Sequence, residues 1–195
     1  MKTGIFGGSF NPIHVGHIEL ARELRRVGEL DEVWLMVSPQ NPLKVGASDM
    51  LDERLRYAMA RLALHGETGI KASDYELRLP RPTYTWNTLQ RLRTDFPERS
   101  FTLLIGGDNW ENFHRWYRAA DITREFEILV YPRATSSPES LFTNPSPQPS
   151  SLKLLDVSST DVRQRVRQGQ SVKGLVPPVI EPLVRRLYKH CLQIT

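Results

Sequence analysis

Short apolar runs alternate along the chain with longer stretches whose apolar residues recur every three or four positions. The runs Lys2 to Phe6, Asp31 to Val37, Phe101 to Ile105, Phe126 to Tyr131 and Leu152 to Val157 are too short for helices and predict strands of a buried parallel sheet. Ile70 to Leu79 alternates apolar and polar residues and predicts a strand or extended segment, ended by Pro80-Arg81-Pro82. Between them, Ile18, Ala21, Leu24 and Val27 share one face of a helix that Gly28 closes. Asp49 caps a second helix, running through Leu64 with Leu51, Leu55, Met59 and Leu62 inward and Arg54, Arg56 and Arg61 outward, and Gly66 stops it. Thr83 to Leu92 predicts a helix opened by threonines, Ser158 to Thr160 opens another that Gly169 ends, and Ile180 to Leu192 supplies the last.

Strands alternating with helices predict an α/β fold, a three-layer sandwich with a mainly parallel, Rossmann-like sheet and right-handed crossovers. The expected organisation is one domain over residues 1–195, with a core at 1–157 and a small C-terminal helical cap at 158–195 against the sheet's edge. Residues 134–151, rich in Ser and Pro, cannot bury enough apolar surface to order by themselves and predict a mobile loop.

Composition narrows the class. Hydrophobic residues at 39% and charged residues at 25% of 195 are those of an ordinary globular protein. No apolar run reaches membrane-spanning length, and Met1-Lys2-Thr3 enters a strand without a signal-peptide pattern, so no membrane association and a cytoplasmic location are expected. The one cysteine, Cys191, excludes an internal disulfide. The net charge of +4 is concentrated late: residues 161–190 hold seven Lys or Arg against two acids. Such a surplus suits a nucleic-acid backbone or a polyanionic small molecule, and without an RNA-binding or helix-turn-helix signature the small molecule is the expectation.

The candidate chemistry gathers where strands end. Gly4 to His17 carries a strand through Gly7-Gly8-Ser9-Phe10, an Asn11-Pro12 turn and on into a helix bearing His14 and His17. Glycines admit close approach of a ligand to the backbone, and a helix N-terminus presents N–H groups to an anion. Neither GxGxxG nor a P-loop is present. Ser38 to Lys44 leaves the second strand, where Lys44 can meet phosphates, and Gly106-Gly107-Asp108 leaves a later one, where a carboxylate can accept two hydrogen bonds from ribose hydroxyls. Ser158-Ser159-Thr160 with Arg163 forms a second anion cradle.

Gly7-Gly8-Ser9-Phe10-Asn11-Pro12-Ile13-His14-Val15-Gly16-His17 resembles the GSFNPxHxGH signature of the HxGH nucleotidyltransferase superfamily, in the wording of bacterial nicotinate-nucleotide adenylyltransferases. Four further segments carry the resemblance over nearly the whole chain except 134–151. Ser158 to Arg163 is similar to ISSTxxR, Leu175-Val176-Pro177 to an LVP turn, Ile105 to Trp116 to IGxD…W, and Thr83 to Leu89 to a Ser/Thr-Tyr-Thr-x-Asp-Thr-Leu segment. Two positions depart from that family: Leu43 stands where a histidine precedes the lysine, and Asn87 stands for Asp.

The resemblance implies transfer of AMP from ATP to nicotinate mononucleotide, a step of NAD synthesis. His14, His17, Lys44 and Arg163 would act on the phosphates. Gly7, Gly8, Ser9, Phe10, His17, Ser158, Ser159, Thr160 and Arg163 would bind ATP. Asn41, Lys44, Thr85, Gly106, Asp108 and Trp116 would bind the acceptor, Trp116 stacking on its pyridine ring and Thr85 lying beside it. Mg²⁺ would be held by the ATP phosphates and water, with no protein metal site. A sister adenylyltransferase with another phosphorylated acceptor, or a non-catalytic nucleotide- or RNA-binding module, are the alternatives.

Overall fold

The computed structural model describes residues 1–39, 50–132 and 155–190. Strands β1 (Lys2–Gly8), β2 (Glu32–Val37), β3 (Ile70–Ser73), β4 (Ser100–Gly106) and β5 (Glu127–Tyr131) form a sheet in the order β3-β2-β1-β4-β5, and every pairing is parallel. Helices α1 (Val15–Val27), α2 (Glu53–Ala63), α3 (Thr85–Asp95), α4 (Gly107–Trp110), α5 (Ala119–Glu125), α6 (Ser159–Arg167) and α7 (Glu181–His190) complete the described chain. The strand order reverses between β1 and β4. In open α/β sheets the crevice beyond the carboxyl ends at such a reversal is where ligands bind.

Alternate residues of each strand point to opposite faces, and this builds two cores from one sheet. Phe6, Val33, Leu35, Val37 and Leu104 pack with apolar residues of α1, α2, α6 and α7. Ile5, Trp34, Met36, Leu103 and Ile105 pack with those of α3 and α5. The layering is the three-layer sandwich that the apolar pattern predicts. The C-terminal helices enter the first core through Val162, Val166, Val184 and Tyr188, and so lie on the α1–α2 face of the sheet rather than at its edge.

Several elements differ from their sequence reading. The strand anticipated over Ile70 to Leu79 stops at Ser73 and becomes a 3₁₀ turn at Tyr75–Arg78, which drops Tyr75 into the second core with its hydroxyl donating to Asp95 at 2.6 Å. The third helix begins at Thr85 after Tyr84, and no threonine side chain caps it. Val27 is only half-buried, while Ile18, Ala21 and Leu24 face inward as expected. The strand Leu152 to Val157 lies partly outside the described residues, and its remainder, 155–157, is not in the sheet. The 134–151 loop, Leu192 and Cys191 also lie outside them.

The largest departure is in α2. Its cap is Asp52, whose side chain accepts from the Arg54 amide at 2.9 Å; Asp49 is outside the described residues. Its buried residues are Arg56, Met59, Ala60 and Ala63, whereas Leu55 and Leu62, expected inside, are 43% and 42% exposed. Burying a leucine contributes about 1.5–3 kcal/mol. Leaving a guanidinium buried without hydrogen bonds costs several kcal/mol, on the order of 3–5, so the helix face is decided by where Arg56 finds acceptors. The two alanines then let α2 sit close to the sheet.

Candidate active site

Local sequence builds the turn after β1. Phe10 takes a left-handed backbone conformation, φ 44°, which for a bulky residue costs on the order of 1–3 kcal/mol. Its ring offsets that cost: it is 1% exposed and meets Phe6 and His17 edge-on, with centroids 5.7 and 5.0 Å apart. Gly8 is required beneath it, since a Cβ there would stand 2.9 Å from the Phe10 ring. Next to it Gly7 is open, and a Cβ would meet nothing within 4 Å. The Asn11-Pro12 peptide is cis, and the chain then enters α1 with His14 as its cap residue.

His14 and His17, three residues apart at the mouth of α1, come together as neighbours on a helix surface do. Their rings stack with centroids 3.6 Å apart, and the His14 amide donates to His17 Nδ1 at 3.2 Å. His17 thus occupies the position where a Glu or Gln closes a capping box. With Nδ1 accepting, the neutral ring carries its proton on Nε2, as a donor suited to an anionic oxygen. Gly16 leaves room beside this stack, because a Cβ would stand 3.1 Å from His14 Nδ1 and press on the ring.

Residues almost the length of the chain away clamp this turn. Ser159 Oγ donates to the Pro12 carbonyl at 2.9 Å, and Arg163 Nη1 donates to the Asn11 carbonyl at 2.9 Å. Tyr188 Oη donates to Asn11 Oδ1 at 2.6 Å, and the same oxygen accepts from the Leu51 amide at 3.2 Å. The Val15 amide donates to Leu175 O at 3.0 Å, which brings the Leu175-Val176-Pro177 turn to the mouth of α1. The two anion cradles of the sequence are therefore one place. Within the second, Ser158 caps α6 by accepting from the Asp161 amide at 3.0 Å, while Thr160 is exposed beside Arg163, its Oγ1 3.4 Å from Nη2. Ser158 and Ser159 thus hold backbone in this structure, and the α6 amides, Thr160 and Arg163 are the groups suited to an anion.

Across the strand reversal, Gly106 precedes α4, and Asp108 lies half-buried in its first turn. Trp116 is half-buried against Phe113, centroids 5.3 Å apart, so its indole is not consumed by the core. Trp34 and Trp86, by contrast, are buried core residues, and Trp110 stacks on Phe113 at 4.9 Å. Thr85 and Trp116 are brought to a common region by their neighbours, as Tyr84 and Tyr117 lie 5.0 Å apart, centroid to centroid. Burial pushes the Glu76 carboxyl up from its ordinary range, against the Thr88 and Ser38 hydroxyls that hydrogen-bond it. Asn41, Leu43 and Lys44 lie outside the described residues.

Sequence reasoning did not identify Asn11, Tyr188 or Arg56 as parts of this edge. Asn11 sits within the motif and was legible only as a turn former. A lone Tyr in the last helix and an Arg in an amphipathic one carry no local signal. No three His, Cys, Asp or Glu side chains that could hold a metal ion come together among the described residues. None of the helices described is long and apolar enough to cross a membrane.

Comparison with known proteins accords with this geometry. A cytidylyltransferase-like family model matches residues 5–165. A probable nicotinate-nucleotide adenylyltransferase of Bacteroides fragilis is 41% identical, covering 100% of this chain and 92% of its own length. Its counterpart in Bacteroides thetaiotaomicron is 40% identical over 98% of this chain and 95% of its own. Among solved structures, the Plasmodium falciparum nicotinic acid mononucleotide adenylyltransferase complexed with NaAD superposes with a TM-score of 0.71 at 16% identity, covering 95% of this chain and 93% of that one, a likeness of fold. The chain belongs to the cytidylyltransferase-like family and, within it, to the bacterial nicotinate-nucleotide adenylyltransferases.

Proposed function

We propose that the edge between β1 and β4 transfers AMP from ATP to the 5′-phosphate of nicotinate mononucleotide, releasing pyrophosphate and nicotinate adenine dinucleotide. The observation that carries this reading is the meeting of the His14–His17 stack with the α6 terminus through Ser159 and Arg163. A phosphate oxygen of the acceptor attacks the α-phosphorus of ATP, and the bond from that phosphorus to the bridging oxygen of pyrophosphate breaks. The reaction asks the protein to align two anions and to stabilise charge on the departing group.

In this reading His14 and His17 donate to α- and β-phosphate oxygens, Arg163 and Lys44 face the rest of the triphosphate, and Gly7 lets ATP lie against the backbone. Gly8, Ser9, Phe10, Ser158, Ser159 and Thr160 shape that side. On the acceptor side Trp116 covers the pyridine ring, with Thr85 beside it, while Asn41 and Gly106 line the acceptor and Asp108 accepts from ribose hydroxyls. The donors present, imidazoles, hydroxyls, guanidinium and amides, fit phosphate oxygens better than a hard cation. Mg²⁺ arriving on ATP would neutralise phosphate charge, and the residues facing it would be these same phosphate ligands.

The test is pyrophosphate release from ATP and Mg²⁺ with nicotinate mononucleotide, nicotinamide mononucleotide or phosphopantetheine as acceptor. Preference for nicotinate mononucleotide is expected. Release with another acceptor alone would keep the chemistry and overturn the acceptor. Trp116→Ala should raise KM for the mononucleotide about 5- to 10-fold, consistent with ~1 kcal/mol for a ring stack, with KM for ATP little changed. An unchanged mononucleotide KM removes the stacking role.

A further inference from the structure

Arg56 is fully buried in α2, 0% exposed, and every hydrogen bond recorded for its guanidinium goes to a backbone carbonyl. Nε donates to Leu51 O at 2.9 Å, Nη1 to Ser9 O, and Nη2 to Ser38 O at 2.9 Å and Pro39 O at 3.0 Å. Burial lowers its pKa from the ordinary arginine value, with Tyr188, then Glu53 and Asp52, acting in the opposite sense. A guanidinium nevertheless remains charged inside proteins.

The four acceptors are not equivalent. Ser9 lies in the turn after β1, between Gly8 and the strained Phe10; Ser38 and Pro39 are the first residues after β2. The two strands are paired in register up to Gly8 and Val37, and the Ser38 amide donates to Gly8 O at 3.0 Å. Beyond that bond the two chains diverge, one towards the histidines and the other, in sequence, towards Asn41 and Lys44. Arg56 spans the divergence with a rigid planar fork, and Glu76 holds the Ser38 hydroxyl on the other side.

We propose that Arg56 is a positioning residue for the nucleotide's phosphates: its fork fixes the turn carrying Ser9 against Ser38 and Pro39 at the end of β2, and so sets where the turn and the histidines that follow it meet the triphosphate. The proposal rests on the functional reading above. A lysine keeps the charge but presents a tetrahedral head that cannot repeat a planar fork to four carbonyls. The larger effect falls on ATP, because the turn carrying Ser9 leads into the two histidines while Trp116, Thr85 and Asp108 stand on other elements; Asn41, which follows Pro39 in sequence, ties a smaller effect to the acceptor.

The experiment compares wild type with Arg56→Lys and Arg56→Ala. The kcat/KM for ATP, the KM for nicotinate mononucleotide and equilibrium ATP binding are measured at a temperature where thermal melts show all three folded. The expected result is a loss of 30-fold or more in kcat/KM for ATP in both variants, with the mononucleotide KM changed by less than about fivefold. In Arg56→Ala, millimolar guanidinium, which can refill the vacated space, should recover at least fivefold. Equal losses for both substrates that track the fall in Tm, with no recovery, would make Arg56 a stabilising residue only and overturn the proposal, as would a folded variant with unchanged ATP kinetics. Wild-type protein inactive on nicotinate mononucleotide would count against the functional reading instead, and ATP binding by the same variants would still decide the role of Arg56.

Discussion

Replacing His17 with alanine is expected to lower turnover by at least ~100-fold in a protein that still folds, the loss characteristic of removing one donor from a site where charge develops. His17 holds three relations at once: its Nδ1 accepts from the His14 amide at 3.2 Å, its ring stacks on His14, and Phe10 meets it edge-on. Alanine removes all three, and the lost reciprocal cap and ring contact should cost about 1–2 kcal/mol of stability. A second variant separates structure from chemistry. In His17→Gln the amide oxygen can take the hydrogen bond from the His14 amide, as Glu and Gln do at this position of a capping box, yet no imidazole remains. Turnover of His17→Gln should stay near that of the alanine variant while its melting temperature returns towards wild type. Initial rates of pyrophosphate release and thermal melts on the same samples decide it, and turnover within a few-fold of wild type in either variant would sink the assignment.

The largest effect on stability is expected at Asn11. Its Oδ1 is the acceptor for the hydroxyl of Tyr188, which is wholly buried, and for the Leu51 amide. Asn11→Ala takes this acceptor from both donors, and each buried unsatisfied group costs about 1–3 kcal/mol, so a loss of roughly 2–6 kcal/mol follows. For a chain of this size that corresponds to a fall in Tm on the order of 10 °C. Tyr188→Phe removes a donor and leaves Asn11 accepting from Leu51, so it should cost only about 1 kcal/mol. Denaturant melts of the two single variants and the double variant give the coupling. If Asn11→Ala unfolds at the wild-type midpoint, the clamp does not hold the turn.

The motif around His14 and His17 was legible because its pattern is local. Glycines, an Asn-Pro turn and a three-residue spacing into a helix place the second histidine near the first, while the bonds that hold the turn come from distant residues. The same holds for the strands: alternation within runs of five to seven residues decides which side chains face each layer, and the parallel sheet followed from helices lying between those runs. The errors have the opposite character. The α2 stripe was read from the leucines, and Arg56 displaced Leu55 and Leu62 because its acceptors belong to β1, β2 and the chain beyond them.

Sequence alone thus determined the layered α/β architecture, the two segments proposed to face phosphates and the family resemblance, since each depends on residues within a few positions of one another. The tertiary structure decided which hydroxyls hold backbone, which arginine goes inside, and that residues 147 to 177 positions apart close one turn. Those outcomes depend on hydrogen-bond partners brought together only when α6 and α7 pack over the sheet, and no periodicity along the chain encodes where a distant carbonyl will stand.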